Sequence, residues 1–374
     1  MLNGNVQIPS DSSLTIRPGV MIVFDNDFQI LVKGRLHVQG TRWQPVEFFG
    51  NRTGKSMILF KSTNLSNSVI TNTHFFGPKP AIQLAEEGEH SQDTIKNWGT
   101  LQLDSFGLFN SKIQTNGYGS KASLSILDAY ISQSTIVGVY PRSEPISISN
   151  TIIERSIISS ESYNYGIKIQ TSTLTDSNLT IGCCQANIEV IESKMTNMIV
   201  REGSGSPVMG PFTIDRCTVN GLSINLPSAR VSLKSSRIRL SEKKSITVGI
   251  ANVTCTTIIG DKTQNGLVIM GKYGYDQSSI PQIISDSSIS NLLTAISVTG
   301  SKTVLKIDRT NLFANDQYNI YSTSKTDIDA KNNYWGSHFM DRSAAKLYDY
   351  YQDIEYGQIL MEPFATSRID NNVC

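Results

Sequence analysis

Short apolar pulses recur along this chain at nearly even steps. An apolar–polar–apolar triplet falls at Leu101–Leu103, Leu124–Ile126, Ile146–Ile148, Ile167–Ile169, Ile188–Val190, Phe212–Ile214, Val231–Leu233, Ile246–Val248 and Leu267–Ile269. Each pulse is too short for a helix and alternates with period two, the pattern of a strand with one buried face. Behind most pulses comes a Ser, Asn or Asp cluster and then a second apolar pulse, as in "SFGLFNSKI" (105–113), "DAYISQSTI" (128–136) and "NTIIERSII" (150–158). Such residues tolerate left-handed backbone and bond their own main chain, so the clusters predict corners.

Three architectures use short alternating strands. An antiparallel sandwich needs Asn-Gly or Asp-Gly hairpins, and Asn116-Gly117, Asn220-Gly221 and Asn265-Gly266 are too few for that. A leucine-rich repeat needs a fixed leucine template, and none is present. A coil of two or three strands per turn fits the spacing. Each strand then pairs in parallel with its counterpart one turn away, about 4.8 Å along the axis. The expectation is one all-β domain: a parallel solenoid over 1–331 with opening turns at 14–50, about a dozen turns and roughly 60 Å long.

The end of the chain departs from this pattern. Residues 332–359, "NNYWGSHFMDRSAAKLYDYYQDIEYGQI", hold five of the 14 tyrosines and one of the 3 tryptophans. An open coil leaves a layer of backbone groups without partners, and solenoids close such edges with caps. Asp341 is placed to cap a short helix whose Ala344, Leu347, Tyr348 and Tyr351 fall on one face. Trp335 and the tyrosines offer wide, partly polar surface to cover the last layer. The cap is expected over 332–365, with 366–374 as the start of a linker.

Both ends resemble a known family. Arg17-Pro18-Gly19-Val20, Gly34-Arg35-Leu36, Gly40-Thr41 and Pro45-Val46-Glu47-Phe48 resemble the opening turns of right-handed parallel β-helix, or pectin-lyase-like, proteins. Asn333-Tyr334-Trp335-Gly336, Leu347-Tyr348-Asp349, Asp353, Gly357-Gln358-Ile359 and Pro363 resemble the closing element of extracellular β-helix modules. The resemblance implies a right-handed coil, a structural role for those closing residues, and one piece of a larger cell-surface or secreted protein. Protein or glycan partners would follow from that setting. It is silent on chemistry.

Composition narrows the partners. A formal net charge of +1 removes the electrostatic case for nucleic acid. No stretch of 18 apolar residues predicts a transmembrane helix. Residues 1–20 have neither the basic nor the apolar region of a signal peptide. The chain is then either cytosolic or a segment of a longer one, and the segment is the expectation. Asn51, Asn64, Asn178 and Asn252 head N-glycosylation sequons, a weak signal in a chain so rich in Asn, Ser and Thr.

Cys183, Cys184, Cys217, Cys255 and Cys374 include no CxxC spacing, which argues against structural zinc. They read as buried thiols within strands, with a pairing of Cys217 to Cys183 or Cys184 as the alternative. No cofactor motif is present.

A search for chemistry finds little. Glycoside hydrolases need two carboxylates at a set separation. The Asp-Asp and Gly-His-Gly elements of polygalacturonases are missing, and Arg237-Ile238-Arg239 is only a partial echo of a third. The acids Asp215, Asp261 and Asp286 are scattered, although coiling could stack acids from successive turns. His37, His74, His90 and His338 read as surface or satisfied histidines. Residues 85–90, "AEEGEH", read as a solvated loop or a calcium loop. Asp349 and Asp353 either coordinate a cation or, more simply, accept backbone N–H bonds. Trp43 and Trp98 read as core or cap packing, or as a sugar-stacking surface.

Three functions fit. A non-catalytic extracellular scaffold or adhesion module, presenting a rigid surface for protein or glycan contacts, is the expectation. A polysaccharide lyase or hydrolase, and a non-catalytic glycan-binding module, are the alternatives. An acidic cluster beside Arg or Lys in a groove would mark the enzyme. A bare aromatic ledge would mark the glycan binder.

Overall fold

In the computed structural model the described residues are 4–25, 27–61, 68–85, 97–116, 121–139, 146–161, 166–182, 187–203, 210–271, 281–300, 302–338 and 341–370. They form two compact units, Met1–Ile188 and Glu189–Cys374. Both are all-β coils, and every strand pair described in them is parallel.

In the first unit each turn of the coil contributes three short strands, and each pairs with its counterpart one turn on. Strand Ile58–Lys61 pairs with Ile30–Val32 on one side and Ile82–Ala85 on the other. The register stacks like on like. Ile30, Ile58, Ile82, Ile113, Ile136 and Ile158 form one inward column and are all buried. A second sheet stacks Val38, Ile70, Leu103, Ile126, Ile148 and Ile169. Branched side chains pack well on a pleated surface, and identical neighbours a rung apart fill space without cavities.

Polar ladders run through the buried corners. The Ser111, Ser134 and Ser156 amides donate to the hydroxyls of Ser134, Ser156 and Ser177 at 3.2, 3.1 and 3.0 Å. The Ser134, Ser156 and Ser177 hydroxyls in turn donate to carbonyls two residues back, at 2.7, 2.7 and 2.8 Å. Corner backbone groups, which strands cannot pair, are thereby satisfied inside the core. The residue before each ladder member takes positive φ, as at Asn110, Gln133, Arg155 and Asp176. The corner clusters expected from the sequence therefore adopt the left-handed backbone foreseen for them, even where the residue is Gln or Arg.

The second unit keeps this plan. Phe212 pairs with Val231 and Val231 with Ala251, while Ile214, Leu233 and Val253 stack alongside. The pulses Ile246–Val248 and Leu267–Ile269 belong to a different sheet, pairing with Ile224–Leu226 and with each other. The shortened step before Ile246 is a change of sheet and not a short turn. Cys217 is a free, buried thiol, as expected, and the alternative pairing with Cys183 or Cys184 does not form. It occupies a ladder position, where a thiol serves as a hydroxyl does. Cys255 is disulfide-bonded, and its partner is outside the described residues, as are Cys183, Cys184 and Cys374.

The predicted capping helix is not formed. Asp341 does receive the Ala344 amide on its side chain at 2.7 Å and the Ala345 amide on its carbonyl at 3.0 Å. One turn later Lys346 takes φ 50°, and its ammonium donates to the Asn315 and Asp316 carbonyls. Leu347 and Tyr348 then pair as a strand with Ile320 and Tyr321. A single turn is below the helix nucleation cost, and another rung of the coil satisfies the same backbone.

Much of the rest of the closing segment is buried or pinned, although Tyr350, Tyr351 and Ile354 are exposed and do not cover the last layer. Asn333 is fully buried, and Trp335 is 2% exposed. Asp349, also fully buried, accepts the Ile359 amide at 2.6 Å and pairs with Arg342. Asp353 accepts the Glu355 amide at 3.1 Å. The Gly357 amide donates to the Ser324 carbonyl at 2.7 Å, and a Cβ at Gly357 would meet the Thr326 backbone. Pro363 follows a cis bond, and its carbonyl accepts the Asn332 amide. Within 366–370, Ile369 exchanges two hydrogen bonds with the Asn311 side chain.

Candidate functional site

A groove of about 450 Å³ opens in the first unit. One of its lining positions is a glycine. On one sheet the outward positions in successive turns are His74, Gly107, Tyr130 and Ile152. With no side chain at Gly107, the Phe109 ring folds over that position, between the imidazole and the phenol. A Cβ built there would lie 2.5 Å from the Phe109 ring and 3.0 Å from His74.

Aromatic rings cluster around this glycine. Two positions along the same strands, Phe49, Phe76 and Phe109 stack with centroids 4.8 and 4.9 Å apart and planes 13° and 9° from parallel. His74 meets Phe76 and Phe109 edge-on at 6.0 and 6.1 Å, and Tyr130 tilts onto Phe109 at 5.6 Å. All five are half-buried, so each presents a partly open face or edge. Holding rings in register this way fixes them before any ligand arrives.

Short polar side chains form the other wall. Asn72, Ser105, Asp128 and Asn150 sit in successive corners at φ 44° to 52° and all line the groove. The buried Phe106 and Ala129 are also in its lining. Thr41, Arg42 and Pro45, from the loop between strands Arg35–Gln39 and Val46–Gly50, complete it. Trp43 in that loop is 85% exposed, with the Arg42 guanidinium 5.5 Å from its ring centre. Core packing, the simpler expectation for Trp43, is thus excluded. The Trp98 side chain is outside the description.

The electrostatics are mild. Among the described lining residues Asp128 is the one carboxylate and Arg42 the one fixed cation. Tyr130 donates to Glu154 at 2.7 Å, and this bond, with burial adding to it, holds the phenol above its ordinary pKa. The described lining does not bring two carboxylates together, as the two-carboxylate hydrolysis mechanism requires.

The other sequence candidates are elsewhere. Asp215 pairs with Arg216 at 3.0 Å and Asp286 with Arg309 at 2.6 Å. Asp261 accepts the Thr263 hydroxyl at 2.6 Å. His37 is half-buried on a strand, and His338 is exposed and bonds the Thr366 carbonyl. Asn51 lies in an exposed loop, whereas Asn178 and Asn252 are half-buried in strands. Asn64, His90 and residues 86–90 are outside the described residues. Among the described residues no three His, Cys, Asp or Glu group as metal ligands would, and no helix is long and apolar enough to cross a membrane.

Sequence reasoning missed the groove. Its members come from turns of unequal length, and one of them is a glycine. The available signal was "SFGLF" at 105–109, where Gly107 stands at an outward strand position two residues before an outward Phe. Comparison with protein-family models finds no match, and comparison with curated proteins finds no significant relative.

Proposed function

We propose that this chain is a non-catalytic surface module that holds a saccharide in the groove of its first unit. The lining of this groove carries the reading, with His74, Phe109 and Tyr130 supplying ring edges and faces and Asn72, Asp128 and Asn150 supplying polar groups. A pyranose ring has an apolar C–H face and a rim of hydroxyls. Aromatic faces suit the first, and short amide, hydroxyl and carboxylate groups suit the second. The volume falls within the usual range for small-ligand sites, and the exposed Trp43 extends the aromatic surface. A rigid coil with stacked outward side chains lets the module serve as a scaffold at the same time.

Two further points support an extracellular setting. Cys255 is disulfide-bonded, and disulfides persist chiefly in oxidising compartments. The closing element resembles that of β-helix modules in surface proteins, among them the tricellular-junction scaffold Bark beetle (Anakonda).

The test is a glycan array probed with the whole chain, beside Trp43→Ala, Tyr130→Ala and Gly107→Val. The expected result is binding to a defined glycan set that each substitution weakens, with circular dichroism unchanged. The bound glycan is then incubated and assayed for new reducing ends or unsaturated products. Product formation would overturn the non-catalytic assignment; binding indifferent to all three substitutions would remove the groove from it.

A further inference from the structure

Positive charge is concentrated in one short stretch of the second unit. Residues 216–244 carry seven Lys or Arg and a single acid, Glu242, in a chain whose net charge is +1. The coil sets part of this charge on one sheet. Arg237 and Arg239 are exposed on either side of the buried Ile238. The register places Thr218 and Asn220 one rung back, and Lys194 two rungs back beneath Thr218. Thr257 lies one rung on. At the rung spacing, Lys194 and Arg237 stand about 10 Å apart on the same face.

This charge is largely unspent. Among the described residues neither Lys194, Lys234 nor Arg237 makes a salt bridge, while Arg216 is paired with Glu192 and Asp215. The outward positions from Lys194 to Ile259 on this sheet include no acid. Asp261 lies beyond them; its carboxyl is held below the ordinary range chiefly by the Thr263 hydroxyl and amide, and slightly by Arg239. Unpaired like charges on a rigid face repel one another, and a polyanion relieves that repulsion while releasing its own counterions.

We infer that the face bearing Lys194, Arg237 and Arg239 binds an anionic polysaccharide. Guanidinium groups grip the paired oxygens of sulfate or carboxylate. The hydroxyl and amide side chains of Thr218, Asn220 and Thr257, each one rung from a cation, suit sugar hydroxyls better than a lipid surface, which rewards inserted aromatic and long apolar side chains. The strands here are paired on both edges, so an acidic peptide has no open edge on which to add as a strand.

The test is retention of the whole chain on an immobilised sulfated polysaccharide and, separately, on polygalacturonate, eluted with increasing salt. The variants are Arg237→Ser with Arg239→Ser, and a charge-matched control, Lys302→Ser with Lys325→Ser, at exposed sites elsewhere in the unit. Each lost charge-assisted contact is worth about a tenfold loss of affinity. The arginine variant is expected to lose at least that much, with an unchanged thermal midpoint, while the control keeps wild-type retention. Retention on the sulfated matrix alone identifies sulfate as the group read, and retention on polygalacturonate identifies carboxylate. Equal retention of the arginine variant and wild type, or no retention on either matrix, overturns the inference. So does equal or tighter binding to phosphatidylserine vesicles or polyglutamate. The groove substitutions leave this retention unchanged, so the two sites fail or stand separately.

Discussion

The side-chain oxygen of Asn333 accepts the Thr310 amide at 2.8 Å, one rung back in the second unit. Its NH₂ group donates to the carbonyls of Ile307 and Ala330 at 2.8 and 2.7 Å. Earlier rungs make the first bond with hydroxyls, as where Cys217 donates to Ser236 at 3.0 Å and Thr256 to Ser287 at 3.2 Å. Asn333 continues the ladder and supplies two donors where a serine hydroxyl supplies one. Asn333→Ala is expected to cost about 2–4 kcal/mol, since three buried backbone groups lose partners. Asn333→Asp is expected to cost a similar amount by removing both donors. Urea unfolding of the two variants checks this, and a midpoint shared with wild type would exclude the role.

Trp335 is buried, yet its indole N–H has no hydrogen-bond partner. Packing and not hydrogen bonding is therefore its contribution. Trp335→Ala is expected to cost about 3–5 kcal/mol, and Trp335→Phe clearly less, because no bond is lost with the ring nitrogen. Equal losses in thermal unfolding would mean the N–H is satisfied in solution.

The fold was legible because inward positions such as Ile126, Ile148 and Ile169 are strongly apolar and recur at nearly even steps. The corners were legible as Ser/Asn/Asp clusters, but not the inward bonds of Ser134, Ser156 and Ser177, since a buried and an exposed serine read alike. Counting pulses also hid the change of sheet at Ile246, because two sheets of one coil share the same apolar pattern. The helix expected after Asp341 had a true cap, but of its expected apolar face Ala344 and Tyr351 are exposed. It yielded to contacts far along the chain, Lys346 with Asn315 and Leu347 with Ile320. Beside the site, Trp43 was legible from the sequence only as an alternative to core packing, because exposure of an aromatic does not show in its neighbours along the chain. His74, Gly107 and Tyr130 were not legible as a site, since only the register brings them together.

The Tyr130–Glu154 bond predicts a pH response at the groove. Donation to Glu154 favours the protonated phenol, so the folded-state pKa lies above the ordinary value of 10.0. The stabilisation is fully present below that ordinary value and is lost as pH rises through the higher folded one. A difference titration of tyrosinate absorbance between wild type and Glu154→Ala is expected to show one phenol ionising earlier in the variant. Superimposable curves would show that the bond does not hold in solution.

Asn51, Asn178 and Asn252 differ in access although all three head sequons. An oligosaccharyltransferase needs the side chain free, and of these only Asn51 is exposed in a loop. Secretion from a glycosylating host is expected to add a glycan at Asn51 and to leave Asn178 and Asn252 bare. Peptide mass spectrometry reads each site. Occupancy at Asn252 would contradict its place in the strand Ile246–Thr254.

Cys217 stands where other rungs carry Ser or Thr. Its sulfur accepts the Ser193 amide at 3.5 Å and lies 3.2 Å from the Asp215 carbonyl, and burial raises the thiol pKa. A raised pKa leaves little thiolate, so native Cys217 is expected to resist alkylation until the chain unfolds. Cys217→Ser preserves both bonds with better donor strength and is expected to stay within about 1 kcal/mol of wild type. Cys217→Val is apolar and somewhat larger, and it leaves the Ser193 amide without this acceptor, a loss of about 1–3 kcal/mol. Denaturant midpoints for the pair separate the two accounts. If the thiol is held by packing alone, valine is the better replacement; if it is a rung of the ladder, serine is.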